Sequence, residues 1–160
     1  FHALGAQVWG TTRTGTPVEG VDRLVQLEDL AEVMKDVDAI VVTLPGTDQT
    51  RHLVGEQLLT EAKPGLIVVN VGRGSVIDEV ALLDALNDER VAFAALDVFE
   101  SEPLAASSPL WQHPRVLVSP HTAALNNREE ERIARRFAQD ATRLLDGKPL
   151  TRPVNTVEFY

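Results

Sequence analysis

The sequence contains no cysteine, which excludes disulfide bonds, thiolate metal sites and a cysteine nucleophile. It also lacks any run near the roughly 18 apolar residues that a membrane-spanning helix needs. Its start, FHALGA, has neither the cationic leader nor the apolar block of a signal peptide. No cluster of His, Asp and Glu residues has the spacing of metal ligands. These absences predict a cytoplasmic protein with no metal site and no membrane partner.

Basic residues are scarce: 15 Lys and Arg stand against 24 Asp and Glu, which gives a formal net charge of −9. Phosphate binding needs a basic face, so we expect no nucleic-acid partner. A hydrophobic fraction of 44% and a charged fraction of 24% are ordinary for a globular protein. The 160 residues amount to one domain with a real core.

Apolar segments of strand type alternate along the chain with amphipathic helical segments. Strands are expected at residues 7–12, 38–43, 66–71, 92–98 and 115–119. Helices are expected at 27–36, 55–62 and 78–87, and a long one is expected from Asn127, with Glu130 as its capping-box partner. This alternation predicts a doubly wound α/β domain around a parallel sheet. The third strand has no apolar alternation, which predicts helices on both of its faces.

The third strand ends in Asn70-Val71-Gly72-Arg73-Gly74. Ligands of open α/β sheets lie beyond the carboxyl ends of the strands, and the two glycines allow the backbone a close approach. Arg73 is therefore a candidate ligand-binding cation. The alternative is a tight strand-to-helix turn with one solvated arginine.

Glu102 and His121 follow the fourth and fifth predicted strands. In a parallel sheet they would emerge at the same edge as Arg73. A carboxylate beside the imidazole would raise the pKa of His121 and make it a useful proton donor. The guanidinium of Arg73 could grip a carboxylate through two hydrogen bonds. Together these groups suit reduction of a 2-oxo acid, with His121 protonating the alkoxide and Glu102 tuning His121.

Each of these residues also has a simpler interpretation. Taken singly, Glu102 could be a solvated loop residue, and His121 could be a capping or packing histidine. The other histidines, His2, His52 and His113, are expected to be surface residues.

A dinucleotide-binding domain normally opens with a strand, a Gly-x-Gly-x-x-Gly loop and a helix. No such pattern occurs here, and the chain starts where that helix would be ending. We therefore expect a fragment that lacks the first strand and the glycine loop.

Several short motifs occur in one order along nearly the whole chain. They are Thr43-Leu44-Pro45 with Thr50, Asn70 to Gly74 with Ile77-Asp78, Ala95 to Phe99 with Glu102-Pro103-Leu104, Ser108 to Trp111, and Ser119-Pro120-His121. In this combination the sequence resembles the D-isomer-specific 2-hydroxyacid dehydrogenases. The resemblance implies a Rossmann-like sheet, incomplete at its N-terminus, and a nicotinamide cofactor.

The resemblance also implies roles for particular residues. Arg73 would orient the substrate, Glu102 would pair with the histidine, and His121 would be the acid/base. The residues expected along the cofactor are Thr43, Leu44, Pro45, Thr50, Val71, Gly72, Arg73, Asp97, His121 and Ala123. Ala123 lies in Thr122-Ala123-Ala124, where the family often has a glycine.

The end of the first predicted strand bears on the choice of cofactor. NAD enzymes usually carry Asp or Glu there to bind the ribose hydroxyls. This chain has Thr12-Arg13-Thr14 instead, an arginine and two hydroxyls that can receive a phosphate. NADP is therefore the preferred cofactor, with NAD possible.

The resemblance further implies a second, substrate-binding domain and a homodimer in the full-length protein. We expect residues 1–125 to form the nucleotide-binding domain and residues 126–160 to pack on the absent domain. The expected substrate is a small 2-oxo acid such as glyoxylate or hydroxypyruvate. The alternatives are a phosphoglycerate dehydrogenase-like enzyme and a non-catalytic NAD(H)-sensing corepressor.

Overall fold

A computed structural model describes residues 1–12 and 15–153. The chain forms two compact units, Phe1–Pro120 and His121–Tyr160.

The described residues of the first unit form six strands and three α-helices. The strands are β1 (Trp9–Gly10), β2 (Arg23–Leu24), β3 (Ala39–Val42), β4 (Leu66–Asn70), β5 (Val91–Leu96) and β6 (Val116–Val118). The helices are α1 (Leu30–Val33), α2 (Glu56–Thr60) and α3 (Glu79–Asn87). Short 3₁₀ turns occur at His2–Leu4, Leu27–Asp29, Gly74–Val76 and Pro109–Gln112. All five predicted strands and the three helices are found, although most are shorter than expected.

The strands β3-β4-β5-β6 form one sheet in that order, and every neighbouring pair is parallel. Strands β1 and β2 form a second, two-stranded parallel sheet. An apolar cleft of about 280 Å³ lies between the two sheets and is lined by residues of β1 and β3. This is the parallel α/β architecture that the alternation of elements predicted, and it confirms the Rossmann-like sheet that the family resemblance implied.

The short strand β2 was missed by the sequence prediction because its two residues, one of them charged, give no periodic signal. Its position depends partly on the preceding Asp22, whose carboxylate accepts a hydrogen bond of 2.7 Å from the backbone N–H of Val8. That bond, and a second one with His2, lower the pKa of Asp22.

Among the described residues, helices bury one face of the four-stranded sheet. On that face Val42, Val68, Ala94 and Leu96 join a core with Leu82 and Leu86 of α3 and Leu58 and Leu59 of α2. On the other face Val41, Ile67, Phe93 and Leu117 are exposed. In the described residues β4 is apolar on both sides and its second face has solvent access, so the expected cover of that face is not supplied by the described part of this chain.

Helix α3 begins where the sequence predicted. The Asp78 carboxylate accepts hydrogen bonds from the backbone N–H groups of Val80 and Ala81, at 3.0 and 3.1 Å. An N-cap of this kind typically contributes about 1 kcal/mol. The cap fixes the start of the helix at Asp78, eight residues after Asn70, the last residue of β4.

The second unit contains one long helix, α4 (Glu129–Leu145). The prediction that Asn127 caps it through a capping box was wrong. The preceding Asn126 accepts a hydrogen bond of 3.0 Å from the backbone N–H of Arg128, the residue at the N-cap position, whose own side chain makes no cap. In the part of the chain that the structure describes, neither α4 nor another helix has the length and apolarity required to traverse a lipid bilayer.

Candidate active site

Three loops leave the carboxyl ends of β3, β4 and β5 side by side. They start at Thr43, Val71 and Asp97, respectively. Because these strands are parallel and adjacent, the loops form one edge of the sheet, the place where open α/β sheets bind ligands.

Asn70, the last residue of β4, shapes the loop that carries Arg73. Its buried side-chain amide donates to the backbone carbonyl of Arg73 at 3.0 Å and accepts from the backbone N–H of Gly72 at 3.0 Å. Both the amide nitrogen and the amide oxygen of this buried side chain therefore have a hydrogen-bond partner. The guanidinium of Arg73 donates to the Gly72 carbonyl at 2.8 Å, and its side chain is exposed at the rim of the sheet.

The loops after β4 and β5 touch at Gly74. A Cβ atom at this position would lie 1.8 Å from the carbonyl carbon of Phe99 and 2.5 Å from the backbone nitrogen of Glu100. No side chain fits into that space, so a glycine is required for the two backbones to meet. This contact sets the separation between Arg73 and the segment that contains Glu102.

The loop after β5 folds back on itself through Glu102. The carboxylate of Glu102 accepts a hydrogen bond of 3.0 Å from the backbone N–H of Phe99. Asp97, which opens the same loop, is buried, and its backbone N–H donates to the Asn70 carbonyl at 3.0 Å. Arg73, Glu102 and Asp97, three of the residues predicted for the site, thus follow two adjacent strands at one edge.

The loop after β3 is held by Thr50. Its buried hydroxyl lies 2.6 Å from the Pro45 carbonyl and accepts from the backbone N–H of Thr47 at 2.9 Å. These bonds close the turn that presents Thr43, Leu44 and Pro45 at the rim. The turn approaches the neighbouring loop at Gly72, where a Cβ would lie 2.7 Å from the Leu44 carbonyl oxygen.

Three cofactor-binding residues, Thr12, Arg13 and Thr14, were predicted after β1, and the structure describes the first of them. Arg13 and Thr14 lie outside the described residues. The hydroxyl of Thr12 is buried and has no hydrogen-bond partner among the residues described. No carboxylate stands at Gly10, Thr11 or Thr12, so the described end of this strand offers a hydroxyl where an NAD enzyme usually places an acid.

The last two candidates, His121 and Ala123, belong to the second unit and are exposed. His121 has a backbone φ of 55°, in the left-handed region that few residues other than glycine adopt. A strained backbone at a candidate acid/base is a feature common at functional sites. The pairing of His121 with Glu102 stays a prediction.

Sequence reasoning missed two residues at this edge. Asn70 was noted only as part of a motif, and its signal is the single amide that ends the apolar run Leu66-Ile67-Val68-Val69. His52 was expected at the surface, but it is half-buried, and its Nε2 lies 3.0 Å from the carboxylate of Glu100. No local pattern could have indicated that contact, because the partners are 48 residues apart.

The carboxyl group of Glu79, close to this edge, has a shifted pKa. Partial burial, reinforced by the neighbouring Glu100 charge, raises the pKa of its carboxyl above the ordinary value, although a hydrogen bond from the Glu100 backbone opposes the shift. The edge therefore combines an arginine, several carboxylates and a histidine, which suits binding of a carboxylate substrate and transfer of a proton.

Known proteins share this architecture and sequence. Residues 1–123 match the family described as D-isomer specific 2-hydroxyacid dehydrogenase, NAD binding domain. The glyoxylate/hydroxypyruvate reductase A of Citrobacter koseri is 35% identical over 152 residues, which are 95% of this chain and 47% of that protein.

Two solved structures extend the similarity. An NADPH-dependent glyoxylate/hydroxypyruvate reductase from Sinorhizobium meliloti, in complex with NADP and sulfate, is 30% identical. Its match has a TM-score of 0.90 and covers 99% of this chain and 51% of that one. A D-isomer specific 2-hydroxyacid dehydrogenase from Xanthobacter autotrophicus, in complex with NADPH and MES, is 37% identical, with a TM-score of 0.88 and coverage of 98% and 64%.

The chain spans about half the length of the curated relatives that it matches, with 38% and 47% coverage of two of them. The family match itself covers most of the chain, and it includes the rim loops, the parallel sheet and the motifs that carry Arg73, Glu102 and His121. The chain therefore belongs to the D-isomer specific 2-hydroxyacid dehydrogenase family, and its residues 1–123 correspond to the NAD-binding domain of that family.

Proposed function

We propose that the natural polypeptide carrying this chain reduces a small 2-oxo acid to the D-2-hydroxy acid with NADPH. The observation that carries this proposal is the meeting of the β4 and β5 loops at Gly74, which brings the segments of Arg73 and Glu102 together at the ligand-binding edge of the sheet. The relatives named as glyoxylate/hydroxypyruvate reductases support a small 2-oxo acid as the substrate class.

The chain's own residues support a phosphorylated dinucleotide. At the end of β1 the Thr12 hydroxyl is buried without a described partner, and no carboxylate follows it that would repel a 2′-phosphate. Arg13 and Thr14 would add a cation and a second hydroxyl. The rest of the cofactor would be lined by residues of the loops that follow the strands: Thr43, Leu44, Pro45, Thr50, Val71, Gly72, Asp97 and Ala123. NADP is accordingly the preferred cofactor, and NAD is the second choice.

Three residues would handle the substrate. Arg73 would bind its carboxylate and polarise its carbonyl oxygen. His121 would give a proton to that oxygen, and Glu102 would favour the protonated imidazole. When bound, the reduced cofactor supplies the hydride that the carbonyl carbon receives. His121 follows β6 in the chain, and Ser119, two residues before it, donates its backbone N–H to the Leu96 carbonyl of β5 at 2.9 Å.

Loss of NADPH absorbance with a panel of 2-oxo acids tests the proposal in the natural polypeptide. Glyoxylate and hydroxypyruvate should be reduced, and NADPH should be used in preference to NADH. The His121→Asn variant should reduce kcat by about 10²–10⁴-fold, whereas His2→Asn, at an exposed histidine outside the rim, should leave kcat unchanged.

Failure to oxidise NADPH with any acid of the panel would refute the reductase function. A near-normal rate in His121→Asn would remove that residue from the mechanism. A strong preference for NADH would refute the role given to Arg13.

We further propose that the natural polypeptide acts in the cytoplasm as a homodimer. The absence of cysteine supports a reducing compartment. The exposed apolar side chains Ile133, Phe137 and Leu144 support an interface of α4 with a segment outside this chain, which the substrate domain and a second subunit could both supply. Light scattering after gel filtration should give twice the monomer mass, and a monomer at micromolar concentration would refute the dimer.

A further inference from the structure

The imidazole of His52 lies between two of the rim loops. Its Nε2 is 3.0 Å from a carboxylate oxygen of Glu100, and its Nδ1 is 3.7 Å from a carboxylate oxygen of Asp78. We propose that His52 is a positioning residue for catalysis: it ties the loop that carries Glu102 to the segment that follows Arg73. The inference rests on the proposed reductase function and names a residue that the sequence analysis placed at the surface.

The backbone of His52 is itself anchored to the segment after Arg73. Its N–H donates to the Ser75 carbonyl at 2.9 Å, and two residues later the N–H of Val54 donates to the Val76 carbonyl at 3.0 Å. Val54 also pairs in parallel with Ile77. One end of the link is therefore fixed by the main chain, so that the imidazole extends from a rigid base.

The other end of the link is Glu100, two residues before Glu102. One carboxylate oxygen of Glu100 accepts from the backbone N–H of Glu79 at 3.0 Å, while the other faces His52. In return, the Glu79 carboxylate accepts from the backbone N–H of Glu100 at 2.7 Å. Since Glu102 is bonded to Phe99, next to Glu100, a shift of Glu100 would move the Glu102 carboxylate.

The charges around the imidazole explain why a histidine is needed there. Asp78, Glu79 and Glu100 place three carboxyl groups on the two segments that must meet. Burial raises the pKa of Glu79; a hydrogen bond from the backbone N–H of Glu100 opposes that effect, and the Glu100 charge adds to it. The hydrogen bond between the imidazole and Glu100, with Asp78 close to the other ring nitrogen, holds the two segments together, and without it they would move apart.

The link should matter more for geometry than for stability. Its side chains are partly exposed, and ion pairs of that kind contribute only about 0–1 kcal/mol to folding. A displacement of about 1 Å in a catalytic group can nevertheless lower a rate by about 10²-fold. A positioning role therefore predicts a large change in kcat with a small change in melting temperature.

The test compares two histidine variants with a matched control in the natural polypeptide. His52 has a φ of 52°, so glycine removes its side chain without straining the backbone. Glu89→Gly is the control, because Glu89 also has a positive φ, of 63°, and also pairs at the surface, with Arg115 at 3.1 Å. His52→Gln is the rescue variant, since its amide nitrogen can replace Nε2 as a donor to Glu100.

We expect His52→Gly to lower kcat by about tenfold or more while KM for NADPH stays within about twofold. The Glu89→Gly variant should keep the wild-type kcat, and His52→Gln should recover most of the lost rate. An unchanged kcat in His52→Gly would overturn the proposal. A loss in Glu89→Gly as large as that in His52→Gly would also overturn it, because the effect would then follow stability.

Amide hydrogen exchange in the 160-residue chain tests the link independently of activity. The Glu79 and Phe99 amides should exchange at least about fivefold faster in His52→Gly than in wild type or Glu89→Gly, because local opening would become easier. Unchanged exchange at both amides would overturn the link even in an active enzyme. An inactive wild type with the expected exchange pattern would refute the reductase function and leave the link standing.

Discussion

The two faces of the four-stranded sheet have similar sequences and opposite environments. On the covered face, Val68 and Ala94 are 0% exposed beneath α2 and α3, whereas on the open face Ile67 and Leu117 are 41% and 56% exposed. Both faces are apolar, as in sheets that are buried on two sides. The comparison shows that apolar composition alone does not decide burial in this unit: a strand residue is buried where a helix lies over it.

The largest expected effect on stability comes from removing a buried side chain that packs in the core on the covered face. Leu82 of α3 is 0% exposed and belongs to the core under the sheet. Leu82→Ala should lower the free energy of unfolding by about 2–5 kcal/mol, because it removes buried methyl groups and leaves a cavity. Alanine favours helix, so helix propensity cannot explain such a loss. Urea denaturation of the chain measures the change, and a loss below about 1 kcal/mol would contradict the packing described for this face.

The same substitution on the open face sharpens the comparison. Leu117 of β6 already has solvent access, and therefore Leu117→Ala removes little buried area. The free energy of unfolding should fall by less than about 1 kcal/mol. Equal losses in Leu82→Ala and Leu117→Ala, measured in the same urea series, would mean that the two faces are equally covered.

The smallest effect concerns charge at the start of the helix that covers the sheet. The pKa of Glu79 is raised in the folded chain, chiefly by burial, so the folded state holds its proton more tightly than the unfolded state does. Its favourable contribution is therefore complete below the ordinary value of 4.5 and is lost as the pH rises through the folded pKa.

Glu79→Gln keeps an acceptor for the Glu100 N–H but removes the charge. The variant should be slightly more stable than wild type at neutral pH, and the difference should vanish in acid. The difference should remain small because much of the carboxyl group faces solvent. Melting temperatures measured across the acidic range would show it, and a gain that is independent of pH would contradict the assignment.

Much of the fold could be predicted from the sequence because its main signals are local. The strands β3 to β6 are apolar runs, and Asp78 supplies a cap directly before α3. The Asn127 prediction failed because the N-cap position is Arg128, one residue later, and its backbone N–H donates to the side chain of Asn126. The two-residue β2 leaves no pattern to detect.

At the candidate site, too, the features with a local signal could be predicted and the long-range contacts could not. Arg73 and Glu102 could be predicted because each follows a recognisable strand. The contacts that arrange them could not: Gly74 meets Phe99, and His52 meets Glu100, across long separations in the chain. Sequence reasoning therefore identified residues that could act, but not the contacts that hold them in place.

The central claim is that Arg73, Glu102 and His121 meet around one substrate. A crystal structure of the natural polypeptide with NADPH and oxalate, a dicarboxylate that cannot accept the hydride, tests it most directly. We predict that the Arg73 guanidinium binds a carboxylate of oxalate and that the His121 imidazole lies within hydrogen-bonding distance of both Glu102 and the ligand. An imidazole beyond the reach of Glu102, or on the opposite edge of the sheet from Arg73, would contradict the account.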